Sequence, residues 1–316
     1  MVGLRPSPGF VPNDDRPLGW SVISVLGPMG RTVADTALLM SASVGPHAMD
    51  PLSHDIDGRA FWPLPEVDLS TLRIGFTEDF GLAIVDPGIR ASFRARVDAL
   101  RPHVAVCEPW QPDLGDADRV FDVLRAEAFV AAFADTFRNA PETLGPNVRA
   151  NVEMAAAITL ADRAWAHLQQ TRIARTFAQA FERYDLLLAP VTPVSPFPWT
   201  ELYAERIDGQ AMQNYYHWLA LTYLVTLATH PALALPAGRD AQGMPFGLQL
   251  VGPLRGDARL LAIAQAVEQC FAADPALARP RPDVAPLAAP NPALRSIVTH
   301  PPGTGGAGPG EALTAV

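Results

Sequence analysis

The stretch that decides the fold class is LRIGFTEDFGLAIVDPGIRASFRARVDALRPHVAVC, residues 72–107. Its two ends, residues 72–77 and 104–107, are short apolar runs that predict two strands. Between them, Asp86 and Pro87 open a helical pattern that continues to Leu100, with Pro87 in the first turn, where its missing N–H costs no hydrogen bond. A strand, a crossover helix and a second strand predict a parallel βαβ unit and therefore an α/β fold.

The rest of the chain extends this pattern. The apolar run at residues 186–189 stops at Pro190 and predicts a strand buried on both faces. Thr32, with Asp35 three residues later, predicts a capping box at the start of a helix. The spacing of apolar residues predicts helices over 32–44, 116–138, 160–184, 209–229 and 256–271, and further strands at 2–4, 231–236 and 246–251. We therefore expect a mainly parallel or mixed sheet covered by helices.

Composition limits the possible functions. The 316 residues carry a net charge of −9 and a pI near 5.2, which argues against a nucleic-acid-binding surface. The longest mostly apolar run, residues 218–228, is too short to span a bilayer, so we expect no membrane association. With only two cysteines, Cys107 and Cys270, no disulfide framework is encoded, and we expect a cytoplasmic protein.

Domain organisation follows from a change in composition near residue 280. Residues 1–279 are predicted to form one ordered domain. Residues 280–316 are rich in proline, alanine and glycine, and they are predicted to be a disordered tail. The glycines between residues 303 and 310 follow no strand and open no helix, so they predict no phosphate-binding loop and no cofactor.

No group of residues forms a complete catalytic constellation. Ser53, His54 and Asp55 are consecutive, whereas a triad is assembled from residues distant in sequence, so we interpret them as a polar loop. Together with His47, Asp50 and Asp57 they could ligate a metal, but their spacing matches no defined site. Cys107 could serve as a nucleophile at the end of a strand, and a buried core position is the simpler interpretation. All 24 basic residues are arginine, so no lysine base is present.

Several segments together resemble the amidase signature family. They occur in the family's order between residues 3 and 269: GLRPSPGFVP (3–12), LGPMGRTVADTALLMSASVG (26–45), DPLS (50–53), YDLLLAPVTPVSP (184–196), THPALALPAG (229–238) and GMPFGLQLVGPLRGDARLLAIAQAVEQ (243–269). Phe10, Gly30 and Thr229 depart from the residues common at their positions, and Thr229 stands where glycine is frequent.

The resemblance implies a fold and a reaction. The family has a mixed sheet flanked by helices, and it hydrolyses carboxylic amides to an acid plus ammonia or an amine. Its serine nucleophile, its second serine in a cis peptide and its lysine base all precede the GLRPS segment. No residue here matches them, so we assign no catalytic residue and expect an N-terminally truncated domain that is inactive alone.

The resemblance also implies a pocket and partners. We predict a substrate pocket that includes five residues in or beside the similar segments: Met29, Thr192, Tyr215, Trp218 and Thr229. Tyr215 and Trp218 could equally be packing residues of the predicted helix 209–229. The expected partners are a small-molecule amide and either an N-terminal amidase fragment or a second copy of the chain. A gene whose start is placed too late, a non-catalytic binding protein and one half of a split amidase all remain open.

Overall fold

A computed structural model describes residues 1–198 and 200–290. A seven-stranded mixed sheet has the strand order β2-β1-β8-β9-β5-β3-β4, and a small hairpin pairs β6 with β7. The strands are β1 Val2–Arg5, β2 Met29–Gly30, β3 Arg73–Phe76, β4 Val106–Pro109, β5 Leu186–Pro190, β6 Arg206–Ile207, β7 Gln210–Ala211, β8 Ala232–Arg239 and β9 Pro245–Val251.

The predicted βαβ unit is confirmed. Strand β3 runs parallel to β4, with Ile74 opposite Cys107, and it also runs parallel to β5, with Ile74 opposite Leu186. Every residue of β5 is buried, as an apolar run covered on both faces requires. Strands β1, β8 and β9 pair antiparallel, and β9 joins them to β5, so the sheet is mixed.

Seven helices flank the sheet in the described part of the chain. They are α1 Val33–Ser43, α2 Pro87–Leu100, α3 Ala117–Asn139, α4 Pro146–Ala155, α5 Leu160–Ala180, α6 Ala220–Ala228 and α7 Asp257–Ala272. The predicted capping box is present, since Thr32 Oγ1 accepts the N–H of Asp35 at 3.1 Å and the Asp35 carboxylate accepts the N–H of Thr32 at 3.1 Å. Helix α4 is an element that the sequence pattern did not predict.

The predicted helix over 209–229 is wrong in its first half. Asp208 and Gly209 have φ angles of 49° and 75° and form the turn between β6 and β7. The Oδ1 atom of Asn214 then accepts the backbone N–H groups of Tyr216 and His217, at 3.1 and 2.9 Å. Such side-chain acceptors favour a turn over a continuous helix. Helix α6 therefore begins only at Ala220, and the aromatic residues before it do not share a helical face.

Exposed apolar side chains are frequent near the start of the chain. Strand β2 is a two-residue edge strand, and Met29 on it is 66% exposed. Other large apolar side chains exposed in the first 49 residues are Met1, Trp20, Leu26, Leu38, Leu39 and Met49. Apolar groups gathered on one part of a surface are typical of a contact surface. This part of the molecule is therefore the best candidate for contact with another polypeptide segment.

The end of the chain is described only in part. After α7, residues 280–290 are described and include a short 3₁₀ turn at Ala285–Ala288. Residues 291–316, with the glycines of 303–310, lie outside the described residues, and the domain boundary at 279/280 stays a prediction. Of the helices described, none is both long and apolar enough to cross a membrane.

Candidate functional site

A cavity of about 1000 Å³ lies at one end of the sheet. Because β5 and β8 are each antiparallel to β9, they run in the same direction, and their carboxyl ends meet at the same edge. Segments after β5, the later part of β8 and the start of β9 all line the cavity. The carboxyl edge of parallel strands is where open α/β sheets bind ligands, so this cavity is the candidate site.

Two of the five predicted pocket residues, Thr192 and Trp218, line the cavity. The Thr192 hydroxyl donates to the carbonyl oxygen of Val194 at 3.2 Å, which fixes the turn that leaves β5. The Trp218 indole N–H donates to the carbonyl oxygen of Tyr215 at 3.1 Å, and its ring meets Phe197 edge to face with centroids 5.6 Å apart. Together these contacts build a fixed aromatic wall.

The other three predicted residues lie elsewhere. Met29 is exposed on β2. The Tyr215 hydroxyl accepts hydrogen bonds from Arg125 Nη2 and Asn151 Nδ2, both at 2.7 Å, so it ties α3 to α4. Thr229 ends α6 with a left-handed backbone, φ 63°, a conformation that favours glycine. None of these three is among the residues that line the cavity.

The sequence prediction missed three arginines of the cavity. Arg31 lies between β2 and α1, and Arg279 and Arg281 follow α7. The Arg279 guanidinium donates to the carbonyl oxygen of Arg31, which brings the end of the chain back to the turn before α1. Arg279 and Arg281 were missed because their segment was judged by its composition alone. Its alternation of arginine and proline directly after a helix was the available signal.

The polar loop with Ser53 and His54 does not form a triad. The Ser53 hydroxyl lies 3.0 Å from the carbonyl oxygen of His47 and 2.8 Å from that of Asp50. The Nδ1 atom of His54 lies 3.3 Å from the carbonyl oxygen of Leu52. These side chains bond to backbone groups instead of to one another, so no proton relay is formed.

Asp50 organises this loop from the inside. Its carboxylate accepts the N–H groups of Asn13 at 2.8 Å and Leu52 at 3.0 Å, and Arg16 lies 3.5 Å away. Burial opposes ionisation, yet these donors and the guanidinium together lower the pKa of Asp50. Within the described residues, no group of three or more His, Cys, Asp or Glu side chains is arranged to hold a metal ion.

A buried acid–tyrosine cluster joins α3 to the aromatic segment. The Tyr223 hydroxyl donates to Asp118, and the Tyr216 hydroxyl donates to Asp122 at 2.6 Å. The Nε2 atom of His217 lies 2.9 Å from the same oxygen of Asp122. Burial, reinforced by the neighbouring carboxylates, raises the pKa of both tyrosines above its usual range. The cluster therefore acts as a packed connection between these elements.

Comparison with known proteins decides the family. The family model described as Amidase matches residues 1–261, most of the chain. The chain belongs to the amidase family. Among its relatives, a glutamyl-tRNA(Gln) amidotransferase subunit from Synechococcus sp. (strain RCC307) is 30% identical over 316 residues, which cover 92% of this chain and 62% of the relative. An acylamidase of Rhodococcus erythropolis is 26% identical, with coverages of 84% and 56%.

Solved structures of other amidase-family proteins share the fold of this amidase-family chain. A bacterial aryl acylamidase of the amidase signature family superposes with a TM-score of 0.73 at 23% identity, covering 87% of this chain and 58% of its own. A structure described as a vestigial protein complex, related to the origins of an s-triazine catabolic enzyme, has a TM-score of 0.76 at 24% identity and coverages of 89% and 60%. The amidase-family chain thus spans about three fifths of the length of these relatives.

Proposed function

We propose that this chain forms the scaffold and substrate-binding part of an amidase, an enzyme that hydrolyses carboxylic amides. The observation that carries the proposal is a cavity at the carboxyl ends of β5 and β8, in a chain of the amidase family. Thr192 and Trp218 contribute to its walls, and an apolar floor excludes water from the bound amide.

The reacting groups come from outside these 316 residues in this proposal. Amide hydrolysis by the family uses a serine nucleophile and a lysine base, and the chain has no lysine. Arginine cannot replace that base, because its pKa is too high for it to lose a proton in a protein. We therefore expect the chain to release no ammonia from amides by itself.

The catalytic segment would contact the surface beside β1 and β2. Exposed apolar side chains gather there, among them Met29 and Leu26. Met1 also lines the cavity, so a polypeptide joined or docked at this end of β1 would reach the bound amide directly. Both a continuous chain and a separate fragment satisfy this geometry.

An ammonia-release assay tests the proposal. The DNA upstream of the codon for Met1 is sequenced, and any segment with the glycine-serine motif and the lysine is expressed with this chain. We expect the combination to release ammonia from amides and the chain alone to release none. The control carries alanine in place of the nucleophilic serine of that segment. Amide hydrolysis by the chain alone would refute the proposal, as would the absence of such a segment upstream, even allowing for one frameshift.

A second candidate function is ligand binding without catalysis. It is favoured by the cavity itself, since every wall described belongs to this chain. A chain that is monodisperse, melts cooperatively and binds a ligand, with no upstream catalytic segment, would establish this function in place of the first.

A further inference from the structure

We infer that the cavity selects ligands that carry a carboxylate next to an aromatic or other large apolar group. This inference rests on the proposed function, because it names the class of amide that the site would accept. The observation behind it is the charge of the cavity, which is opposite in sign to that of the chain.

Three guanidinium groups face the cavity, from Arg31, Arg279 and Arg281. Among the described residues that line it, none is an aspartate or a glutamate. The chain as a whole has a net charge of −9. Low-dielectric walls concentrate the field of such groups within a cleft and raise the local concentration of ligands of opposite charge. A carboxylate is therefore favoured in this cavity over a neutral group of the same shape.

The three arginines differ in how far their charge is already balanced. Arg279 donates to the backbone of Arg31, and its charge acts on the carboxyl group of Glu268 in α7, which lowers the pKa of that carboxyl against the stronger effect of burial. In the part of the chain that the structure describes, neither Arg31 nor Arg281 forms an ion pair. These two side chains are therefore the ones available to a bound anion.

The remainder of the cavity is apolar. Trp218 and Phe197 form the aromatic wall, and Phe246, Leu235 and Val191 continue the surface across β9, β8 and the segment after β5. The Ser195 hydroxyl, which also lies in the wall, is engaged by the carboxylate of Asp240. A ligand with an aryl or alkyl body and one carboxylate would bury the body on this surface and place its charge at the arginines.

A pair of isosteric probes tests the inference without catalysis. Binding of 4-phenylbutyrate and of 4-phenylbutyramide to the 316-residue chain is measured by isothermal titration calorimetry at low salt. We expect the carboxylate to bind about tenfold more tightly, the effect of two exposed charge pairs acting together. In 1 M NaCl the preference should largely disappear, because the Debye length falls to about 3 Å.

Matched variants assign the preference to the cavity. The double substitution Arg31→Ala with Arg281→Ala should reduce the affinity for the carboxylate to that for the amide and leave the affinity for the amide unchanged. The control, Arg172→Ala with Arg175→Ala, removes two charges from α5, outside the cavity, and should preserve the tenfold preference. Equal binding of the two probes, binding of neither probe, or an equal loss in the control would overturn the inference.

The result is separable from the test of the proposed function. If the carboxylate preference is found and no combination with a catalytic segment hydrolyses an amide, the inference stands and the amidase proposal fails. If amides are hydrolysed and the two probes bind equally, the amidase proposal stands and the inference fails.

Discussion

Replacing Asp257 tests how the start of the chain is fastened to α7. Its carboxylate is fully buried and accepts two hydrogen bonds from Ser7, from the backbone N–H at 2.7 Å and from the hydroxyl at 2.6 Å. The Ser7 hydroxyl oxygen in turn accepts the N–H of Arg255 at 2.8 Å. Two chain segments that are 250 residues apart in sequence are joined by this group.

The magnitude follows from the groups left without partners. Asp257→Ala removes the acceptor of two buried donors, each of which costs about 1–3 kcal/mol when unsatisfied. It also removes the carboxylate that acts on the buried guanidinium of Arg5, whose pKa burial lowers to about 10 against the opposing effect of Asp257. Relief of the desolvated charge offsets part of this loss above pH 6. We expect the free energy of unfolding to fall by about 3 kcal/mol at pH 7.5.

The pH dependence has a definite sign. Burial raises the pKa of Asp257 from 3.8 to about 6, against the hydrogen bonds from Ser7 and the charge of Arg5. A raised pKa in the folded state means that the protonated carboxyl is the better-accommodated form. The contribution of Asp257 to stability is therefore largest below pH 3.8, and it decreases as the pH rises through about 6. The difference between the two ends of this window is about 3 kcal/mol.

Urea unfolding at pH 4, 6 and 7.5, followed by circular dichroism, measures both effects. The loss caused by Asp257→Ala should be larger at pH 4 than at pH 7.5. Asp257→Asn should cost less than the alanine substitution at pH 7.5, because the amide still accepts the N–H of Ser7. Asp35→Ala is the control: it removes an exposed first-turn aspartate from α1 and should cost about 1 kcal/mol or less. A loss below about 1 kcal/mol for Asp257→Ala, or the same loss at every pH, would refute the reasoning.

Three further substitutions should shift the midpoint of urea unfolding. Gly27→Ala should destabilise by about 2 kcal/mol or more, since a Cβ there would overlap the backbone carbonyl oxygen of Leu4; Gly145→Ala, with open space around its Cβ, should change stability by less than about 1 kcal/mol. Tyr223→Phe should cost about 1–3 kcal/mol, and more at pH 7.5 than at pH 4, because the hydroxyl bonds best to ionised Asp118; equal losses would contradict this. Thr229→Gly should stabilise by up to about 1 kcal/mol by relieving a left-handed backbone, and a loss would contradict it.

The sequence was most informative where local pattern and burial agree. The strands β3, β4 and β5 and the helix α2 were predicted because each is either apolar throughout or begins with a clear cap. The helix over 209–229 was wrong because alanine- and aromatic-rich composition was weighed above Gly209 and Asn214. Those two residues favour turns, and the turns they form decide where α6 begins.

The pocket was harder to predict than the fold because it depends on contacts between distant segments. Thr192 follows a predicted strand, and ligands bind at such ends, so local pattern was sufficient for it. Thr229 was misassigned because its departure from glycine was taken as a change in the pocket. The structure gives a backbone reason for glycine at that position, since the residue ends α6 with φ 63°. A departure from a family pattern can therefore report conformation instead of specificity.

Net charge and local charge answer different questions, and this chain separates them. The value of −9 describes the whole molecule and governs solubility and contact with large polyanions. A small ligand in the cavity responds mainly to groups within about one Debye length, roughly 8–10 Å at ordinary salt concentrations. Arg31, Arg279 and Arg281 are far apart in sequence and are brought to one cavity only by the return of the chain after α7. An acidic sequence can therefore enclose a site for an anion, and its composition gives no indication of it.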